Sequence, residues 1–276
     1  MIRKKAINKT IVIFLGIIFL AVILFPFYWT VFSSLKGRSD IVTWPPKLFP
    51  VPVTFENYSY ILDGPFLGFL LNSLKVSVAT VVIALILATP AAFAIARLEF
   101  PGQHLLPLIA LLLYMFPTVV IIVPIFNVAS KLGLLNSLGV LVIIYVALTV
   151  PFCMWLLSAF LKGIPRELEE QAMVDGASRF GALFRITLPL SIPGMSAAGL
   201  FVFITAWGEY LFSFLLISKD GYKTLPVGLN YWMSSIQILW GPLTAASVIS
   251  TLPVLLLFSF LGKYFVASLS SIGIKG

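Results

Sequence analysis

The sequence predicts an all-α, polytopic membrane protein with six transmembrane helices and a cytoplasmic helix–turn–helix loop. Its composition indicates the membrane class, because 60% of the 276 residues are hydrophobic and 10% are charged, whereas soluble domains carry about 25% charged residues. Six apolar stretches are long enough to cross a bilayer, which takes roughly 20 helical residues. A polar segment near residues 165–193 interrupts this pattern and predicts the helix–turn–helix.

The predicted spans follow one another along the whole chain. They are Ile11–Val31, Leu70–Ala96, Leu105–Phe126, Leu138–Phe160, Met195–Ile217 and Leu243–Val266. The basic segment before the first span resembles the start of a signal peptide. Its apolar run exceeds the roughly 7–15 residues of a signal core, however, and no small-residue cleavage site follows it. We therefore expect the first span to be a retained helix.

The placement of lysine and arginine predicts that both chain termini lie in the cytoplasm. With that orientation the inner segments hold 11 of the 18 basic residues, Arg97 among them, and the outer segments hold 7. Cytoplasmic segments are the ones enriched in positive charge. We divide the chain into an N-terminal helix with its outer loop, residues 1–69, and a core, residues 70–276.

Several classes of protein are disfavoured by the residues. The net charge is +8, but the basic residues are scattered and form no groove interleaved with aromatics, so no nucleic acid partner is expected. The single cysteine, Cys153, excludes a disulfide framework. No cluster has metal-ligand spacing, no acid–base constellation indicates an enzyme, and no G-x-x-x-x-G-K-[ST] motif provides a phosphate loop for ATP.

The polar segment predicts two short helices separated by a tight turn. Pro165 suits the first helical turn, and Glu167, Glu169 and Glu170 after it complement the positive end of a helix dipole. Gly176 is expected as the left-handed residue that ends the first helix. Ser178 can cap the second helix, which Pro189 is expected to close. One stripe of that helix comprises Phe180, Leu183, Phe184 and Thr187.

Two interpretations of this hairpin stay open from the residues alone. It either joins two spans as an interfacial hairpin or enters a groove on another protein. Its length of roughly 30 residues favours docking, because connections in helix bundles usually take about 2–8 residues.

The hairpin also carries a recognisable spacing of residues. Glu170, Gln171 and Ala172 precede Gly176, and Ile186, Leu188 and Pro189 follow it. This pattern resembles the EAA loop of permease subunits in ABC importers, with Gln171 where many members have alanine. From Thr54 to Gly276 the chain is similar to the smaller, six-span permease of maltose-type carbohydrate importers.

The resemblance implies a permease subunit, not an enzyme, in the inner membrane of a prokaryote. The implied partners are a second permease subunit in a heterodimer, two cytoplasmic ATPase subunits, an extracytoplasmic sugar-binding protein and the lipid membrane. This chain would need no cofactor, and ATP and Mg would bind the partner ATPase. The implied substrates are sugars or oligosaccharides, with glycerol phosphate or polyols as the alternative.

The resemblance also assigns residues to the contact with the ATPase. In the loop these are Glu170, Gln171, Ala172, Asp175, Gly176, Ala177, Phe180, Ile186, Leu188 and Pro189. The closing residues Ile274, Lys275 and Gly276 resemble a family tail that reaches toward the same interface. Gly176 would supply the turn, because a side chain is penalised in left-handed geometry.

Further candidates lie within the spans and outside the membrane. Glu209, the sole acidic residue well inside a predicted span, is a candidate for the transport pathway or for pairing in the bundle interior, as are Trp207 and Asn72. A self-sufficient secondary transporter would use such a charge, but it would not need the long hairpin. Tyr231, Trp232 and Trp240 are typical of an aromatic belt, with docking of the binding protein as the alternative.

Prolines occur in most of the predicted spans. Pro90, Pro117, Pro124, Pro151 and Pro253 each remove a backbone hydrogen bond. We expect them to be ordinary kinks, which membrane helices tolerate, rather than openings toward a cavity.

Overall fold

The computed structural model describes residues 2–233 and 238–273, with side chains for residues 9–178, 181–233 and 238–262. Within these ranges helices form the regular structure, beside one isolated bridge between Met233 and Ile238. In chain order the helices are α1 (Ile2–Ser34), α2 (Arg38–Ile41), α3 (Glu56–Leu62), α4 (Phe66–Arg97), α5 (Leu105–Met115), α6 (Thr118–Lys131), α7 (Leu138–Lys162), α8 (Glu167–Val174), α9 (Arg179–Ala182), α10 (Leu188–Gly208), α11 (Leu211–Leu216), α12 (Leu225–Gly228) and α13 (Trp240–Gly273). A π-helical turn, Leu183–Thr187, connects α9 to α10, and 3₁₀ turns cover Asp220–Tyr222 and Leu229–Trp232.

Five helical segments of the described chain are long and apolar enough to cross a membrane, and the bent pair of α5 and α6 makes a sixth. The five are Lys9–Ser34, Phe66–Arg97, Leu138–Lys162, Leu183–Gly208 and Trp240–Gly262. The predicted first, second, fourth and sixth spans all fall inside observed helices. The all-α, polytopic class is therefore confirmed.

The third predicted span, Leu105–Phe126, is wrong as a continuous helix. α5 and α6 are bent by 85° at the break between them. Phe116 takes an extended conformation, with ψ at 130°, as expected of a residue whose helical conformation is disfavoured by a following proline. Pro117 has no N–H, and its ring would clash with the preceding helical turn, so α5 ends before it and α6 begins after it.

The fifth predicted span, Met195–Ile217, lies further toward the C-terminus than the observed helix α10. The observed helix begins before it and ends at Gly208, because Glu209 is extended and α11 starts a separate helix. Pro189, expected to close the second helix of the hairpin, lies instead in the first turn of α10. Proline clashes with the carbonyl four residues back in a regular helix. Here the Leu188 N–H bonds to the Leu183 carbonyl, five residues back, in the π-helical turn just before the proline.

The chain forms two compact units, one from Met1–Leu67 and Leu229–Leu252 and the other from Gly68–Gly228 and Pro253–Gly276. In the first unit Asn57 donates hydrogen bonds to the Ser34 and Lys36 carbonyls and so fixes α3 to the end of α1. The buried Lys36 ammonium lies 4.3 Å from the centre of the Trp29 ring. Burial lowers the pKa of Lys36, and the negative charge of Asp40 acts in the opposite direction.

A stripe of alanines organises the part of the second unit that leads to the hairpin. Ala84, Ala88, Ala92 and Ala96 of α4 are buried and pack with Cys153, Leu157, Leu161, Ala198 and Val202 of α7 and α10. Small residues let membrane helices approach closely. At Gly194 the approach is so close that an added Cβ would lie 2.7 Å from the Phe160 Cγ. The three helices therefore form one tightly packed layer.

Candidate functional site

The first helix of the hairpin, α8, ends in a Schellman motif around Gly176. The Ala177 N–H bonds to the Ala172 carbonyl at 2.9 Å, and the Gly176 N–H bonds to the Met173 carbonyl at 3.1 Å. Gly176 has φ of +91°, a conformation that favours glycine. The predicted left-handed end of this helix is confirmed.

The second helix begins as the sequence indicates and then continues further. The Ser178 Oγ accepts a hydrogen bond from the Gly181 N–H at 3.1 Å, which confirms the predicted N-cap. From Arg179 onward the chain is helical through the π-helical turn into α10. The hairpin is thus continuous with a membrane-spanning helix and is not a separate element.

The tip of the hairpin is exposed, and it is partly apolar. Val174 is 88% exposed, and Met173, Asp175 and Gly176 beside it are also exposed. Among the other loop candidates, Glu170, Gln171 and Pro189 are exposed, whereas Ala172, Ala177, Ile186 and Leu188 are half-buried. The Phe180 side chain and the tail residues Ile274, Lys275 and Gly276 lie outside the described residues.

The predicted stripe of the second helix is wrong at Phe184. Leu183 and Thr187 are buried, but Phe184 is 64% exposed. Ala182, just before the π-helical turn, is buried as well, so the buried face is centred nearer to Ala182 and Leu183 and leaves Phe184 outside it.

A buried ion pair connects the base of the hairpin to α4. The Arg97 Nε donates to the Glu169 Oε1 at 2.7 Å, and their side chains are only 6% and 10% exposed. The Thr187 Oγ1 donates to the same carboxylate oxygen at 2.9 Å and is fully buried. We call Arg97, Glu169 and Thr187 the basal cluster.

Two arginines reinforce this junction through backbone carbonyls. The Arg97 Nη2 donates to the Ile164 carbonyl at 2.9 Å, and the Arg166 Nη2 donates to the Ala96 carbonyl at 3.1 Å. The second bond caps the C-terminal end of α4, where a cation also complements the helix dipole. A cavity of about 680 Å³ adjoins the junction and is lined by both arginines and by Glu169 and Glu170.

Sequence reasoning missed the basal cluster. It assigned Glu169 to the helix dipole together with its acidic neighbours, and it used Arg97 only for the topology. No residue pattern distinguishes Glu169 from Glu167 and Glu170, because all three lie in the first turn of α8.

The candidate pathway residues do not form one site. Glu209 borders a largely apolar cavity of about 1000 Å³ that is lined mainly by α6 and α7. Its carboxylate accepts hydrogen bonds from the Tyr145 hydroxyl at 2.5 Å and from the Phe212 and Ser213 N–H groups, so that it caps α11. Trp207 is buried and stacks on Phe203.

Asn72 has a different position in the second unit. Its amide donates hydrogen bonds to the Gly221 and Lys223 carbonyls at 2.9 and 3.0 Å. These bonds fix the segment after α11 to the first two turns of α4 and satisfy the two N–H groups of the buried amide. Asn72 stays a candidate for the bundle interior.

The three candidate docking aromatics also differ in exposure. Tyr231 and Trp240 are 60% and 46% exposed. Trp232 is 2% exposed, with its ring centre 6.0 Å from that of Phe66. The prediction of Trp232 as an exposed docking residue is therefore wrong, because its ring is buried in the interior of the first unit.

Residues 80–271 match the family described as "Binding-protein-dependent transport system inner membrane component". The chain belongs to this family. The matched region includes the hairpin and the whole basal cluster. The chain is thus a permease subunit of a binding-protein-dependent transport system and a multi-pass inner membrane protein, and the predicted family resemblance is confirmed.

Individual relatives match along nearly the full chain. The inner membrane ABC transporter permease protein YcjP of Escherichia coli (strain K12) is 35% identical over 94% of both chains. The trehalose/maltose transport system permease protein MalG of Thermococcus litoralis is 35% identical over 99% of both. The crystal structure of a bacterial ABC transporter that imports the acidic polysaccharide alginate shares the fold, with a TM-score of 0.82 at 22% identity, covering 95% of this chain and 97% of that chain.

Proposed function

We propose that this chain is the permease subunit of an ATP-driven importer of sugars or oligosaccharides, and that its hairpin docks on a separate cytoplasmic ATPase subunit. The observation that carries the proposal is an exposed, partly apolar helical tip at Val174 on a hairpin whose base is held by buried contacts. An exposed apolar helical surface is typical of a segment that enters a groove on a partner.

The substrate class is inferred from the relatives. The matched permeases are named for trehalose and maltose, sulfoquinovosyl glycerol and diacetylchitobiose. All of these compounds contain a sugar unit, so sugars are the common chemistry. An importer of glycerol phosphate or polyols is the alternative, and the ligand of the co-purifying binding protein distinguishes the two.

The assembly follows from the same proposal. This chain would pair with a second permease subunit, receive substrate from an extracytoplasmic binding protein and contact one of two cytoplasmic ATPases that bind ATP and Mg. Glu170, Asp175 and Gly176 would seat the tip in the ATPase, and the C-terminal Ile274, Lys275 and Gly276 would approach it. Both termini would then be cytoplasmic, as the distribution of basic residues favours. Tyr231 and Trp240 remain candidates for docking the binding protein.

Photo-cross-linking from the hairpin tests the docking. A photoreactive amino acid at position 174, in the complex purified from its native membrane, should capture a nucleotide-hydrolysing protein. The matched control is position 132, because Leu132 is also apolar and is 65% exposed, but it lies at the end of α6 that the topology places outside. Capture of the ATPase from position 132, or none from position 174 in an actively transporting complex, would contradict the proposal.

A further inference from the structure

We propose that the basal cluster of Arg97, Glu169 and Thr187 is the rigid link through which movement of the hairpin reaches two membrane helices at once. This inference rests on the proposed function, since it requires a hairpin that is moved by a partner. Its chemical core is one carboxylate oxygen, the Glu169 Oε1, that is shared by donors from two other elements.

The three members come from three different elements. Arg97 is the last residue of α4, Glu169 lies in the first turn of α8, and Thr187 ends the π-helical turn that leads into α10. The Glu169 carboxylate therefore holds the docking helix to the ends of two spanning helices. A displacement of α8 must either carry both of these ends with it or break both contacts.

Burial makes breaking these contacts unfavourable. All three side chains are at most 10% exposed, so an opened cluster would leave a largely buried charge without its partner. An ion pair on the surface can exchange its partner for water, whereas a buried pair that loses one partner is strongly destabilised. The cluster is therefore suited to transmitting a displacement without yielding.

Thr187 is the last residue of the π-helical turn, and its hydroxyl donates the second hydrogen bond to the Glu169 Oε1. Such single turns are frequent at functional sites. This one lies directly at the junction between the hairpin and α10.

Thr187→Val is the most selective test. Valine keeps the β-branched shape and leaves the Arg97–Glu169 pair in place, but it removes the hydroxyl donor. Spin labels at Val123 on α6, which is outside the basal cluster, and at Ile204 on α10, both of them exposed, would report the change in distance that Mg·ATP produces in the assembled complex. The change should be clearly smaller in Thr187→Val than in the wild type, because the start of α10 would lose its hydrogen bond to the charged Glu169 carboxylate.

Three further variants complete the experiment. Thr187→Ser restores the hydroxyl and should restore the distance change. Glu169→Gln should reduce the change at least as much as Thr187→Val. Glu167→Gln is the matched control on the same helical turn, since Glu167 is exposed, and it should behave as the wild type.

The outcomes separate the link from the proposed function. A full distance change in both Thr187→Val and Glu169→Gln, with the ATPase still captured from position 174, would overturn the link alone. If Glu169→Gln does not assemble, Thr187→Val and Thr187→Ser decide the matter. Failure of the unaltered complex to capture an ATPase would count against the proposed function instead.

Discussion

Two acidic side chains of this chain, Glu169 and Glu209, accept several hydrogen bonds each and are held in different ways. Glu169 accepts hydrogen bonds from the Arg97 guanidinium and from the Thr187 hydroxyl, and its partners belong to other elements. Glu209 accepts from the Tyr145 hydroxyl and from two N–H groups at the start of α11, the helix that follows it.

The difference separates two uses of a carboxylate in a membrane protein. The Glu209 carboxylate caps a helix within its own segment, so that the chain can break at residue 209 and resume in α11. The Glu169 carboxylate neutralises a charge on another helix and connects elements that are far apart in sequence. Glu209 thus stabilises the start of α11 and adds one hydrogen bond from α7, whereas Glu169 holds the hairpin.

Arg97→Ala should have the largest effect and would break the comparison most directly. It leaves the Glu169 carboxylate buried without its cation, and the removal of one partner of a buried pair costs about 3–5 kcal/mol. Denaturant unfolding of the purified chain in detergent, followed by tryptophan fluorescence, would measure the loss.

The control for Arg97→Ala is Lys47→Ala. Lys47 and Asp40 form an ion pair of similar length, 2.6 Å, but the Lys47 side chain is 46% exposed. Its removal should cost about 0–1 kcal/mol. Equal losses for the two variants would show that burial of the Arg97–Glu169 pair is not what distinguishes it.

Glu209→Ala should have the second largest effect. It removes the acceptor for three donors, and the buried Tyr145 hydroxyl would lose its partner, which costs about 1–3 kcal/mol. The same unfolding measurement applies, and circular dichroism should show a small loss of helix. Glu170→Ala, on the exposed face of α8, is the control for removal of a glutamate. Stability as in the wild type for Glu209→Ala would exclude the capping role.

Helix breaks show where sequence reasoning reached its limit. Of the five prolines expected to be kinks, Pro90, Pro124, Pro151 and Pro253 lie inside continuous helices. Pro117 alone among the five coincides with a break between helices. A proline has the same local chemistry at each position, so the outcome depends on whether neighbouring groups can satisfy the freed carbonyl. Whether they can depends on tertiary packing, which the residues next to the proline in sequence do not specify.

In the hairpin, by contrast, the local turn and cap could be predicted from the sequence, but the long-range contacts could not. Gly176 and Ser178 were predictable because a left-handed turn and an N-cap depend on a few adjacent residues. The basal cluster was not, because Arg97 and Glu169 are 72 residues apart and three glutamates in the first turn of α8 are all chemically suitable partners. Only packing determines which of them is buried. The π-helical turn was likewise hidden, because its hydrogen bonds leave no signature in residue type.

Tyr145→Phe should have the smallest effect and would sharpen the comparison between a neutral and a charged donor. It removes one donor from Glu209 and leaves the two N–H groups of α11, and phenylalanine fills nearly the same volume. The expected cost is about 1 kcal/mol, well below that of Arg97→Ala, because Tyr145 brings no charge that the carboxylate must neutralise. Tyr231→Phe, at an exposed ring, is the control for loss of a hydroxyl and should leave the unfolding free energy unchanged. A cost for Tyr145→Phe as large as that of Arg97→Ala would mean that Glu209 depends on a single hydrogen bond, and the helix cap would then not be its main support.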